Sequence, residues 1–143
     1  MTILRKRENY RRAFHGFDPK MIAAYSQYDI QRLLQDSDIV RNRLKIESAI
    51  QNARRALEII QEYGSFSSFL WRYVDNAPRQ NAWTSMSELP ARTEQSGMMS
   101  KDLKKLGFKF VGSTICYALM QSVGMVNDHV VGCFRYAEVR DMA

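Results

Sequence analysis

Only two cysteines, Cys116 and Cys133, occur in 143 residues. Two thiols cannot make the disulfide framework of a small secreted domain. Histidine is equally scarce, at two, so a closed four-ligand metal site can hardly be assembled from this chain's own Cys and His. No run of apolar residues approaches the length of a membrane span. The N-terminus is charged from Arg5 onward and has no apolar segment of the secretory kind. A cytoplasmic location fits these absences. Alternation of apolar and polar residues, the mark of a half-buried strand, is nearly missing, and there is no internal repeat or low-complexity tract.

What is present suits a globular protein. A length of 143 residues is enough for one domain with a real core and short for two, so residues 1–143 are expected to form a single domain. A net charge of +6 and a pI near 9.5 suggest a polyanionic partner, although charge speaks to association and not to fold.

Helix-period patterns recur along the chain, and the predicted class is all-α. Thr2 to His15 reads as a basic helix with Ile3, Leu4, Tyr10 and Phe14 available for packing. Asp18-Pro19 and Ser26 with Asp29 are helix starts, the second a capping box. The clearest helix runs from about Arg41 to Tyr63, with Ile46, Ala49, Ile50, Ala53, Leu57 and Ile60 along one face. Gly64 ends it, and Ser65 opens another helix carrying Phe66, Phe69, Leu70, Tyr73 and Val74. Asn76 to Gly97 collects Pro78, Pro90, Gly97 and many Ser, Thr and Asn, and reads as a long surface loop. Lys101 to Leu106 and Gly112 to Val123 are the last two predicted helices.

Two places hold residues that can do chemistry. From Gln31 to Ala53, an amphipathic helix, a polar turn Asp36-Ser37-Asp38-Ile39-Val40 and the long helix form a hairpin. The second helix's free N–H groups and its dipole can hold a phosphate, with Arg41, Asn42, Arg43 and Lys45 as flanking donors. The same spacing also describes any helical hairpin with a solvated basic face, and the usual hairpin glycine is absent. Near the C-terminus, His129 and Cys133 lie four apart, a spacing that lets both meet one metal ion if the segment is helical. The bland alternative is a buried thiol near a hydrogen-bonded imidazole. Asp128 either orients His129 or caps a turn.

Four stretches together carry a resemblance: Ile3-Leu4-Arg5-Lys6-Arg7-Glu8-Asn9-Tyr10-Arg11; Ile39-Val40-Arg41-Asn42-Arg43-Leu44-Lys45-Ile46; Gly107-Phe108-Lys109-Phe110-Val111-Gly112-Ser113-Thr114-Ile115-Cys116-Tyr117; and Asn127-Asp128-His129-Val130-Val131-Gly132-Cys133. They closely resemble the bacterial DNA-3-methyladenine glycosylase I family over nearly the whole chain, least in residues 76–97. The resemblance implies an all-α helical bundle with a helix-hairpin-helix element, in which Arg41, Asn42, Arg43 and Lys45 contact DNA. It implies that Phe108, Phe110, Gly112, Ser113 and Thr114 form one wall of the pocket for a flipped base. It implies a structural zinc with His129 and Cys133 as two of four ligands. The family's other two ligands, and its base-binding glutamate, tryptophan and tyrosine, come from an N-terminal segment that this sequence lacks. No catalytic residue is therefore assigned: Trp71 and Trp83 lie elsewhere, and Glu47 and Glu58 look like surface residues. The implied activity is hydrolysis of the N-glycosidic bond of 3-methyladenine in alkylated double-stranded DNA, in base-excision repair, with no membrane and no protein partner. The alternative is a catalytically inactive DNA-binding remnant. An all-α interaction module with no nucleic-acid role is the third reading.

Overall fold

A computed structural model describes residues 2–142. The regular structure among the described residues is helical apart from one two-residue strand pair, and the chain clusters into two compact units. The first runs to Gly64 and includes Leu106–Phe110. The second comprises Ser65–Lys105 and the chain from Val111 onward. None of the described helices is long and apolar enough to cross a membrane.

In the first unit the expected basic helix is two: α1 (Thr2–Arg5) and α2 (Arg7–Ala13), with Lys6 between them. Tyr10 packs against the core and Phe14 is buried in it, but Ile3 and Leu4 are exposed instead of packed. The chain then leaves the helical region: His15, Gly16 and Phe17 all have positive φ, at 48, 65 and 64°. Asp18 caps α3 (Pro19–Ala23), its carboxylate accepting from the Lys20 and Met21 N–H groups. Ser26 and Asp29 make the reciprocal capping box of α4 (Gln27–Gln35). The long helix α5 spans Arg43–Tyr63 and not Arg41 onward, because Asn42 is its cap: Asn42 Oδ1 accepts the Lys45 N–H at 3.1 Å. Gly64 ends it at φ 79°. The apolar face is shifted slightly from the expected one. Ile46, Ile50, Ala53 and Ile59 are buried, whereas Leu57 and Ile60 are half-buried. Leu33 is fully buried beside Ile39, Ile46 and Ile50. Burying such a side chain is worth about 2 kcal/mol, against about 1 kcal/mol for a cap, so packing dominates and capping sets the helix ends.

In the second unit Ser65 caps α6 (Phe66–Trp71), which tightens into a 3-10 turn over Arg72–Val74. The segment read as a surface loop is more structured than expected. Arg79–Gln80 (β1) pairs in parallel with Val126–Asn127 (β2), and Met86–Glu88 forms a 3-10 turn. The next helix, α7, starts at Glu94, seven residues before the expected start at Lys101, and runs through Gly97 to Lys105. Thr93 and Ser96 bind each other's backbone N–H groups, at 2.9 and 3.3 Å, and begin it. Ser96 and Ser100 are buried on α7, where their small side chains let it pack closely; it meets α8 (Ser113–Ser122). A last helix, α9 (Phe134–Arg140), was not expected from the pattern. Phe69, Met99, Tyr117, Met120 and Met125 are the largest apolar side chains fully buried in this unit.

Candidate functional site

The hairpin of the first unit is compact. Beyond Gln35, Asp36 Oδ1 accepts the Asp38 N–H at 2.9 Å and closes the turn. Ile39 is buried and anchors it from beneath. The Asn42 N–H reaches the Val40 carbonyl at 3.0 Å, after which α5 begins. No residue from Asp36 to Asn42 has positive φ. The absence of glycine here therefore costs nothing, since no position needs the left-handed region. Arg41 and Lys45 are exposed, with no ion-pair partner among the described residues. Arg43 is paired with Glu47 at 3.2 Å, on the surface. Asn42 is engaged as the cap. The four candidate residues are thus brought together at one helix start, with Arg41 and Lys45 carrying the unpaired charge.

Two amide side chains of α5 hold the Leu106–Phe110 segment. Gln51 Nε2 donates to the Gly107 carbonyl at 2.6 Å. Asn52 binds both backbone groups of Lys109, accepting its N–H at 2.8 Å and donating to its carbonyl at 3.0 Å. Gly107 has φ 88°, and a Cβ there would lie 3.1 Å from Arg55 Nε. The positive φ is what favours glycine here, and a side chain would in addition press on the Arg55 side chain. Phe108 is buried and serves the core. Phe110, at φ 55°, keeps 52% of its surface exposed. A non-glycine residue at positive φ costs on the order of 1 kcal/mol, and such strain clusters at binding sites. Of the two aromatics, Phe110 is therefore the one whose ring is available to a ligand. Gly112, Ser113 and Thr114 start α8 in the second unit; Gly112 has no atom within 4 Å of where a Cβ would sit and φ −63°, so no close approach explains it.

His129 and Cys133 lie in the second unit, on the wall of a cavity of about 900 Å³ shared with Trp71, Met86 and Val126. The segment between them is a turn and not a helix, and Cys133 is the residue that precedes α9. Asn127, fully buried, accepts the His129 N–H on its Oδ1 and donates to Gln80 and to the Tyr136 carbonyl. The His129 ring is left exposed, and Cys133 is a free, partly buried thiol. Their donor atoms, one imidazole nitrogen and one thiol, are those zinc takes. Among the described residues no third His, Cys, Asp or Glu joins them.

Asp128 does neither of the two things expected of it. Its carboxylate accepts four hydrogen bonds, from Asn81 Nδ2 (2.7 Å), Trp83 Nε1 (2.8 Å), the Tyr117 hydroxyl (2.6 Å) and Gln121 Nε2 (2.8 Å). Burial alone would raise its pKa; the bonds from Tyr117, Trp83, Gln121 and Asn81 outweigh burial, and the net direction is down. Burial, then the bond to Asp128, pushes the Tyr117 phenol up. Sequence reasoning missed this cluster, whose members are 47, 45, 11 and 7 residues from Asp128. Burial likewise raises the Cys116 thiol, which makes it a poor nucleophile. Glu47 is paired with Arg43 and Glu58 with Arg55 at 2.8 Å, on the surface as expected.

A family model for methyladenine glycosylases matches residues 1–136. The chain belongs to the methyladenine glycosylase family. It is 51% identical over 136 residues to DNA-3-methyladenine glycosylase 1 of Escherichia coli (strain K12), a match spanning 95% of this chain and 73% of that one. Its fold is similar to that of 3-methyladenine DNA glycosylase I from Staphylococcus aureus, solved to define 3-methyladenine recognition, with a TM-score of 0.90 and 37% identity over 93% of this chain and 71% of that one. A crystal structure of a 3-methyladenine DNA glycosylase I variant in complex with 3-methyladenine gives the same TM-score, 0.90, at 37% identity over 93% and 72%. Family membership thus extends across the hairpin, the Phe110 segment and the His129–Cys133 turn alike.

Proposed function

We propose that this chain acts in base-excision repair, hydrolysing the N-glycosidic bond of 3-methyladenine in alkylated duplex DNA. The observation that carries the reading is the family match over residues 1–136, which takes in every candidate site residue. The lesion is a cationic base and already a good leaving group. The protein's task is to extrude it, stack it on an aromatic ring and bind its edge. In this reading the α4–α5 turn is the helix-hairpin-helix element, with Arg41, Asn42, Arg43 and Lys45 at the phosphate backbone. Phe110, its ring half exposed, stacks on the flipped base. The test is release of methylated base from alkylated DNA. Release above the spontaneous rate of the same DNA is expected, but slower than that of the E. coli relative, since Asp128 is held by four donors and Glu47 and Glu58 sit in surface ion pairs on α5, so the reading assigns no carboxylate to the base. No release in protein excess would overturn the reading, and binding without release would make the chain an inactive DNA-binding remnant.

His129 and Cys133 fit zinc in kind and supply two of the four ligands of a structural site. Zinc there would tie α9 to the segment before it. Two ligands leave the ion open to solvent, so it is expected to be lost on dialysis of this chain. Elemental analysis checks this. One zinc retained per chain, and lost in His129→Ala, would refute it.

A further inference from the structure

The segment Lys6-Arg7-Glu8-Asn9-Tyr10 is part of the basic stretch read from sequence as a solvated or phosphate-facing surface. Three of its side chains are half-buried, and they turn inward to the hairpin instead. Lys6, at the break between α1 and α2, donates its ammonium to the Ser37 carbonyl at 3.2 Å and the Asp38 carbonyl at 2.9 Å. Asn9 Nδ2 donates to the Asp38 carbonyl at 3.3 Å, its amide held in that sense by Arg12, which donates to Asn9 Oδ1 at 2.6 Å. The Val40 N–H donates to the Tyr10 hydroxyl at 3.0 Å. These bonds satisfy turn groups that neither α4 nor α5 can pair, and the bonds from Lys6 are charge-assisted. The remaining cations of the stretch, Arg5, Arg7, Arg11 and Arg12, are exposed.

We propose that Lys6, Asn9 and Tyr10 are positioning residues for DNA binding: they clamp residues 37–40 and so hold the start of α5, with Arg41 and Lys45, in the arrangement that meets a phosphate. The inference rests on the hairpin reading given above. A preformed loop loses less freedom on binding than a mobile one, so the clamp acts through affinity without touching DNA. Lys6, held by two carbonyls, is not a phosphate contact, although its charge and place in a basic stretch suggest one. Tyr10 is the more telling residue: it is uncharged, and its ring stays packed beside Phe14, with centroids 6.2 Å apart, when only the hydroxyl is removed.

The experiment is anisotropy titration of an undamaged duplex at several salt concentrations, with thermal melting of each protein. The variants are Tyr10→Phe, Lys6→Met, their double, Lys6→Arg and, as reference, Arg41→Gln. Tyr10→Phe and Lys6→Met should each weaken binding by about tenfold, the loss of one net hydrogen bond or slightly more. Their salt slopes should stay at the parent value, whereas Arg41→Gln lowers the slope by about 0.9. The double should be no worse than the worse single, because both act on one turn. Lys6→Arg, which can still donate to both carbonyls, should bind as the parent does. A fall in binding for Lys6→Met with a reduced slope, and none for Tyr10→Phe, would make Lys6 a direct phosphate contact and overturn the clamp. So would normal binding by both variants while Arg41→Gln is impaired. Arg41→Gln binding as the parent would instead overturn the hairpin reading itself. Should Lys6→Met melt early, Tyr10→Phe alone decides.

Discussion

Asp128→Ala is expected to destabilise the second unit by about 3 kcal/mol, at the upper end of what single substitutions do. The carboxylate is the common acceptor for four donors. Hydrogen bonds to a charged group are worth about 1.5–3 kcal/mol each when the partner is buried, and little when water can replace it. Tyr117 is 1% exposed, so its hydroxyl would be left buried and unpaired. Asn81 and Trp83 are half-buried and lose part of theirs; Gln121 is exposed and turns to water. The sum is thus well below four full bonds. Tyr117→Phe should cost about 1 kcal/mol, because it removes donor and hydroxyl together and leaves the carboxylate three partners. Both tryptophans, Trp71 and Trp83, belong to the second unit, so their fluorescence in a denaturant titration reports on that unit. An Asp128→Ala midpoint equal to the parent's, or a smaller loss than Tyr117→Phe, would mean that the cluster is not what ties residues 81–83 to α8.

That cluster also marks where reading the chain in one dimension stops. Helix ends were legible because capping is local: Asp18, Ser26 with Asp29, Gly64 and Ser65 all do what their side chains suggest within three residues. The α7 start was missed although its signal, Thr93 with Ser96, is equally local, because the surrounding prolines and serines read as loop. The β1–β2 pair could not be read at all, since two residues carry no periodicity and the pairing joins Arg79 to Val126. Asp128 shows the same limit in a side chain. Its partners come from a loop and a helix, and only the adjacent His129 was visible as a candidate. The spacing of His129 and Cys133 would bring both to one metal ion only if the segment were helical, whereas it is a turn in which Asn127 accepts the His129 N–H. The hairpin was the most legible part of the candidate site, since Arg41, Asn42, Arg43 and Lys45 fall within five consecutive residues. Its missing glycine proved immaterial because the turn stays at ordinary φ.

Binding to undamaged duplex DNA should weaken about fortyfold between 50 and 200 mM monovalent salt, with a log–log slope of about −2.7, if three phosphates are met. The count comes from Arg41, Arg43 and Lys45, the three cations at the α5 start. Arg41 and Lys45 are unpaired among the described residues, and Arg43 is only held by Glu47 at the surface. An exposed pair of that kind is worth less than about 1 kcal/mol, so a phosphate can take Glu47's place. The net charge of +6 would add a shallower background, which the variants separate from the site. Arg41→Gln and Lys45→Gln should each reduce the slope by about 0.9 and weaken binding alike on damaged and undamaged duplexes, because phosphate contacts carry no information about the base. Phe110→Ala should do the reverse. Its half-exposed ring lies outside the cationic cluster, and a stacked base is worth about 1–3 kcal/mol. Discrimination in favour of alkylated DNA should therefore fall by roughly tenfold while the salt slope stays at the parent value. A slope near zero, or loss of discrimination on changing Arg41 and not Phe110, would exchange the two roles and move the base-binding surface to the hairpin.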